Sequence, residues 1–198
     1  MIKFYWCPHT RAARVAWILE ELGVPYKRVT VNVDDESAPR DPDFVKASPM
    51  GKVPAISIDD MHFSDSTAIA MYLADRFPEN GLAPPIDDPK RAAYLYWMIF
   101  TPGYIEPGMA EKLANFPTNK AQFSWGDFPS VLETLEAGIK EKEWLLGDTF
   151  SAADVLVGSS VYFMKRFGAI DGNEALEAYL ERCLARPAYQ RALQMNEE

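Results

Sequence analysis

The chain has 198 residues, of which 48% are hydrophobic, and a formal charge of −9. That length and apolar content allow one substantial core or two modest ones, and they exclude a disordered or collagen-like chain. The acidic balance repels phosphate backbones, and no cluster of lysines and arginines interleaved with aromatics offsets it, so nucleic acid is excluded as a partner.

Ile2 to Trp6 reads as an apolar strand at the amino terminus, where a secretory leader would show a basic stretch and a longer apolar run. Val15, Ile18, Leu19 and Leu22 repeat at helical spacing and Gly23 stops them. Tyr26 to Val33 and Ala55 to Ile58 then read as strands, Asp59-Asp60 as a turn before Met61-His62-Phe63, and Ser66 to Arg76 as a helix. The order strand, helix, strand, helix, hairpin, helix predicts a mixed sheet with helices on its faces, because the first crossover requires parallel neighbours. We assign residues 1–78 to this thioredoxin-like α/β unit. Residues 79–88, with Gly81, Pro84, Pro85 and the acidic Asp87-Asp88, form a linker.

Residues 89–198 read as an all-helical domain. Asp88-Pro89 caps a helix carrying Tyr94, Tyr96, Trp97 and Phe100, which Pro102, Gly103, Pro107 and Gly108 are expected to interrupt. Val131, Leu132, Leu135 and Ile139 mark a second helix, Val155, Leu156, Tyr162 and Phe163 a third, and Leu176, Tyr179, Leu180 and Cys183 the last clear one. Ser151 to Asp154 has capping-box spacing, with an aspartate expected to satisfy backbone amides rather than to move protons. No apolar stretch approaches the roughly 20 residues of a membrane span. Cys7 and Cys183 are too distant to suggest a disulfide framework, which points to a reducing, cytoplasmic setting. No metal site is expected.

Two segments carry the chemistry. In Gly51-Lys52-Val53-Pro54-Ala55-Ile56, Pro54 pushes Val53 into an extended conformation and leaves its N–H and C=O able to pair with a short peptide, given a cis Val53–Pro54 bond. In Asp65-Ser66-Thr67-Ala68-Ile69 a helix begins. Its amides, its dipole and the Ser66 hydroxyl suit a ligand carboxylate, while the Asp65 carboxylate suits an ammonium on the same carbon. Together they describe a receptor for a peptide zwitterion such as glutathione. Glutathione is an anion, so an acidic protein must supply local positive charge, for which Arg11, Arg14 and Lys52 are candidates.

Val53-Pro54, Asp65-Ser66, the proline-rich linker and the Ser151 to Asp154 box, in this order over nearly the whole chain, resemble the cytosolic glutathione transferases. The resemblance implies a thioredoxin-like plus all-helical architecture, a homodimer, glutathione as cosubstrate, and an apolar electrophile pocket beside the glutathione site. It also implies main-chain pairing at Val53, an ammonium contact at Asp65 where the family often has Glu, a carboxylate contact at Ser66, and a glycine-carboxylate contact at Lys52. Tyr94, Trp97 and Tyr104 are candidates for the pocket wall.

The thiol-activating residue is open among Cys7, Thr10 and His9. Cys7-Pro8 looks like the omega-type transferases, and a cysteine at a helix start beside Arg11 is placed to react as thiolate. Alignment with the serine-type classes instead brings His9 and Thr10 onto the catalytic turn, where the Thr10 hydroxyl or the His9 ring would stabilise a thiolate. Tyr5 reads as core. These alternatives imply conjugation of glutathione to small hydrophobic electrophiles, thiol reduction through Cys7, or a non-enzymatic binding protein that keeps the fold.

Overall fold

The computed structural model describes residues 1–35 and 38–195. They divide into two compact units, one of residues 1–80 together with the chain from Arg186 on, and one of residues 81–185.

In the first unit the central strand β1 (Ile2–Trp6) pairs in parallel with β2 (Tyr26–Thr30), with Ile2 opposite Tyr26. On its other side it pairs antiparallel with β3 (Ala55–Ile58), with Phe4 opposite Ile56, and β3 pairs with β4 (Met61–Ser64). The order is β2-β1-β3-β4. Helix α1 (Ala12–Leu22) is the crossover between the parallel strands; it buries Val15, Ile18, Leu19 and Leu22 and ends at Gly23, φ 63°. Gly23 is left-handed at no steric cost, the usual reason a helix ends on glycine.

β2 ends at Thr30 rather than at Val33, because packing overrides the valine content. Val31 still donates to the Trp6 carbonyl at 2.7 Å, but Val31 and Val33 join the cluster of Tyr5, Phe44, Ala47 and Ala55. Phe44 and Ala47 come from α2 (Pro42–Ala47), which is capped by the Asp41 carboxylate accepting from the Asp43 N–H at 2.8 Å. Helix α3 (Ser66–Arg76) runs over the span read from the sequence.

The helical unit comprises α4 (Lys90–Phe100), α5 (Glu106–Ala114), α6 (Phe128–Ile139), α7 (Ala152–Arg166) and α8 (Glu174–Leu184). The Pro and Gly residues expected to interrupt α4 do not end it in a loop. The chain passes through one widened π turn, Thr101–Ile105, where the Glu106 N–H reaches back to the Thr101 carbonyl, and continues directly into α5. Such a turn accommodates the missing N–H groups of Pro102 and Pro107 without breaking the axis.

The last helix, α9 (Pro187–Gln194), corrects the division at 89–198, since it belongs to the first unit. The Arg186 guanidinium grips both Glu21 carboxylate oxygens at 2.6 and 2.8 Å, Arg191 reaches Glu20 at 2.6 Å, and the Tyr189 ring meets Trp17 at 4.9 Å. A bidentate arginine pair of this kind adds geometric specificity to the docking.

Packing is tight where α6 faces α4. A Cβ built on Gly138 would collide with the Trp97 ring, which is itself buried. Gly138→Ala improves helix propensity by at most about 1 kcal/mol, whereas overpacking a core costs about 1–3 kcal/mol. The variant is expected to unfold at a lower denaturant concentration than the parent; an unchanged or raised midpoint would show that Trp97 yields freely.

Candidate active site

All the side chains placed together below belong to the first unit. Val53 lies just before β3, half-buried, and its peptide bond to Pro54 is cis. The buried Ser48 hydroxyl organises the approach to it, donating to the Lys52 carbonyl at 2.7 Å and accepting the Lys52 N–H at 2.9 Å. The intervening turn needs glycine at Gly51, where φ is 66° and a Cβ would meet the Arg40 guanidinium. Beyond this brace, the Val53 N–H and C=O have no partner among the described residues. An unpaired donor and acceptor on one half-buried extended residue form an edge that a peptide can pair with.

At the start of α3, Asp65 has φ 82°, a costly region for a residue with a Cβ. That conformation turns its carboxylate back onto the helix, where Oδ1 accepts from the N–H groups of Thr67 and Ala68, both at 2.9 Å. The sequence had offered these amides to a ligand carboxylate; the structure assigns them to Asp65. What remains for a ligand is the Ser66 N–H and the Ser66 hydroxyl. The Arg14 Nη1 donates to Ser66 Oγ at 3.2 Å, so the oxygen is occupied as an acceptor while its proton is free to donate. Asp65 itself is exposed, with Oδ2 open to a cation.

Arg14 was a candidate for charge at the surface. It is instead buried beneath Ser66, where it acts as a positioning group. Lys52 is exposed, and the half-buried Arg40, which sequence reading did not single out, lies with it. Both line a groove of about 360 Å³ with Val33, Phe44, Val45 and Met50. Neither has a carboxylate partner among the described residues, and the buried Arg40 Nε has no acceptor there. In sequence Arg40 looks like any loop arginine before a capped helix; the approach of Gly51 is what marks it.

Cys7, Pro8, His9 and Thr10 form the turn between β1 and α1. Thr10 is committed to that turn: its hydroxyl donates to the Cys7 carbonyl at 2.7 Å and accepts the Ala12 N–H at 3.2 Å. Cys7 is half-buried with its thiol free, and His9 is exposed with φ 59°. Arg11 is exposed at the first residue of the helix cap. Tyr5 is core, fully buried and sharing a 3.2 Å hydrogen bond with Ser57; burial pushes its phenol pKa up.

Comparison with known proteins identifies the family. The family model described as the glutathione S-transferase N-terminal domain matches residues 1–81, and that for the C-terminal domain matches residues 101–187. The chain belongs to the glutathione S-transferase family. It is similar to glutathione S-transferase GST-4.5 of Xanthomonas campestris, 28% identical over 83% of this chain and 85% of the relative. It is similar also to GstA of Escherichia coli O157:H7, 26% identical over 97% of each chain. The crystal structure of a glutathione transferase from Methylococcus capsulatus superposes with a TM-score of 0.84 at 28% identity, covering 100% of this chain and 99% of the other.

In the helical unit of the transferase, two of the three aromatics proposed for an electrophile pocket are corrected. Tyr94 is fully buried with the Arg91 guanidinium over its ring at 5.1 Å, and Trp97 packs beside Gly138. They face the core because α4 turns its other side outward, exposing Leu95, Tyr96 and Ile99. Tyr104 is half-buried and stacks on Phe100 at 4.9 Å. No helix among the described residues is long and apolar enough to cross a membrane.

Proposed function

We propose that the transferase joins the thiol of glutathione to small hydrophobic electrophiles, acting as a cytoplasmic homodimer. The observation that carries this reading is the unpartnered N–H and C=O of Val53; the Ala55–Ser64 register of β3 and β4 runs from there toward Asp65-Ser66, and the neighbouring Lys52 lines a groove with Arg40. Glutathione has matching parts in matching order. Its γ-glutamyl ammonium pairs with Asp65 Oδ2 and its α-carboxylate accepts from Ser66; its cysteinyl main chain pairs with Val53; its glycine carboxylate lies toward Lys52 and Arg40. Three fixed points on the peptide hold its sulfur in one place, at the turn from β1 to α1.

There the thiol gives up its proton to solvent water, the thiolate forms the new carbon–sulfur bond at the electrophilic carbon, and the leaving group departs with the electrons of the bond that breaks. The reading assigns thiolate stabilisation to Cys7 first, because the Thr10 proton is already donated to a carbonyl, and to His9 last, because of its exposure. Tyr96 and Tyr104 replace Tyr94 and Trp97 as the aromatic contribution of the helical unit to acceptor choice.

The free Cys7 thiol favours a second reading, reduction of glutathione mixed disulfides. The Cys7 thiolate attacks the glutathionyl sulfur, the other thiol leaves and takes a proton, and a second glutathione thiolate then displaces Cys7 to give oxidised glutathione. Conjugation of a chlorinated nitroaromatic and reduction of a mixed disulfide, measured on the parent and on Cys7→Ser, separate the two. Conjugation by the parent is expected, falling less than tenfold in the variant, because the serine hydroxyl donates to the glutathione thiolate in place of the Cys7 thiol. Absence of conjugation from the parent, together with reduction that falls more than a hundredfold in the variant, would make the protein a thiol reductase.

A further inference from the structure

We propose that the groove beyond Lys52 makes the transferase accept γ-glutamyl-cysteinyl peptides whose third residue is larger than glycine and apolar, provided its carboxylate is free. This rests on the glutathione reading above and specifies which thiol peptides that site takes.

The direction of the bound peptide follows from its ends. With the γ-glutamyl group at Ser66 and the cysteinyl group at Val53, the third residue falls on the Lys52 side, at the mouth of the 360 Å³ groove. The groove is open and larger than a glycine carboxylate requires. Its lining has two parts. Arg40 and Lys52 are cations without carboxylate partners among the described residues and match one carboxylate. Val33, Phe44, Val45 and Met50 match hydrocarbon, and glycine supplies none. Val45 is 53% exposed and Met50 83% exposed, so a large apolar rim stands uncovered beside the charged pair. A branched aliphatic side chain on the third residue would cover that rim while its carboxylate keeps both cations.

The test is the dissociation constant of the parent protein for glutathione and for γ-glutamyl-cysteinyl-leucine, by titration calorimetry at one pH and salt concentration. The leucyl peptide is expected to bind three- to tenfold more tightly than glutathione. Binding more than threefold weaker than glutathione would overturn the inference and leave the glutathione reading standing, whereas binding of neither peptide would overturn both. Val45→Asp, at an exposed position, is expected to lower the ratio of the two affinities at least fivefold. An unchanged ratio would put the leucyl side chain outside this groove and overturn the assignment.

Discussion

Replacing Asp154 by alanine is expected to lower the thermal midpoint by about 8–16 °C. The carboxylate is wholly buried at the start of α7 and accepts four hydrogen bonds. Oδ1 takes the Leu145 N–H and the Tyr179 hydroxyl, both at 2.9 Å, and Oδ2 takes the Ser151 N–H at 2.9 Å and its hydroxyl at 3.1 Å. Alanine leaves these donors inside the protein, each at about 1–3 kcal/mol before relaxation, so about 4 kcal/mol is a moderate total. For a chain of this length each kcal/mol moves the midpoint by about 2–4 °C. Burial outweighs the four donors and raises the Asp154 pKa above that of a free aspartate. The folded state therefore holds the proton more tightly than the unfolded one. The resulting stability is full below the unfolded value, near 4, and is lost as pH rises through the raised folded value. The gap between parent and variant should accordingly widen on acidification. Circular dichroism melts at several pH values measure this; a midpoint change below 2 °C would remove Asp154 as the keystone of the helical unit.

Replacing Ser66 by alanine is expected to raise the Michaelis constant for glutathione tenfold to a hundredfold with kcat changed less than threefold. The Ser66 hydroxyl has two tasks in the proposed complex: it donates to the α-carboxylate and accepts from Arg14. Loss of a hydrogen bond to a charged group costs about 1.5–3 kcal/mol, and every 1.4 kcal/mol is tenfold in affinity. The contact lies at the far end of the peptide from the sulfur, so it is made equally in ground and transition states, and its loss falls on binding rather than on turnover. Arg14 supplies the control. Arg14→Met leaves the serine hydroxyl intact but unheld, and the Michaelis constant should rise less than for Ser66→Ala. Equal glutathione constants in Ser66→Ala and the parent would remove the α3 start from the site.

Several parts of this molecule are legible because their causes are local. Asp65 and Ser151 cap helices within three residues of themselves, Gly23 ends one at its own position, and Ile2 to Trp6 is apolar enough to be a central strand. Val53 and Asp65-Ser66 are legible for the same reason, since an extended residue before proline and a capped helix start are each set by immediate neighbours. Where local signals compete, sequence misleads: Pro102 and Gly103 break a helix in isolation, yet a π turn between packed helices absorbs them.

Sequence by itself thus determined the order of the elements, the extended residue before Pro54 and the capped start of α3 at Asp65-Ser66. Tertiary structure alone decided which side chains meet. It put Arg14 under Ser66 across 52 positions of chain, set Arg40 against Gly51, turned Tyr94 and Trp97 inward, and docked α9 through Arg186 on Glu21 across 165 positions. A cap or a turn is fixed by torsions of neighbouring residues, whereas a guanidinium, an aromatic ring or an amphipathic helix takes its role from whatever surface the completed fold brings to it.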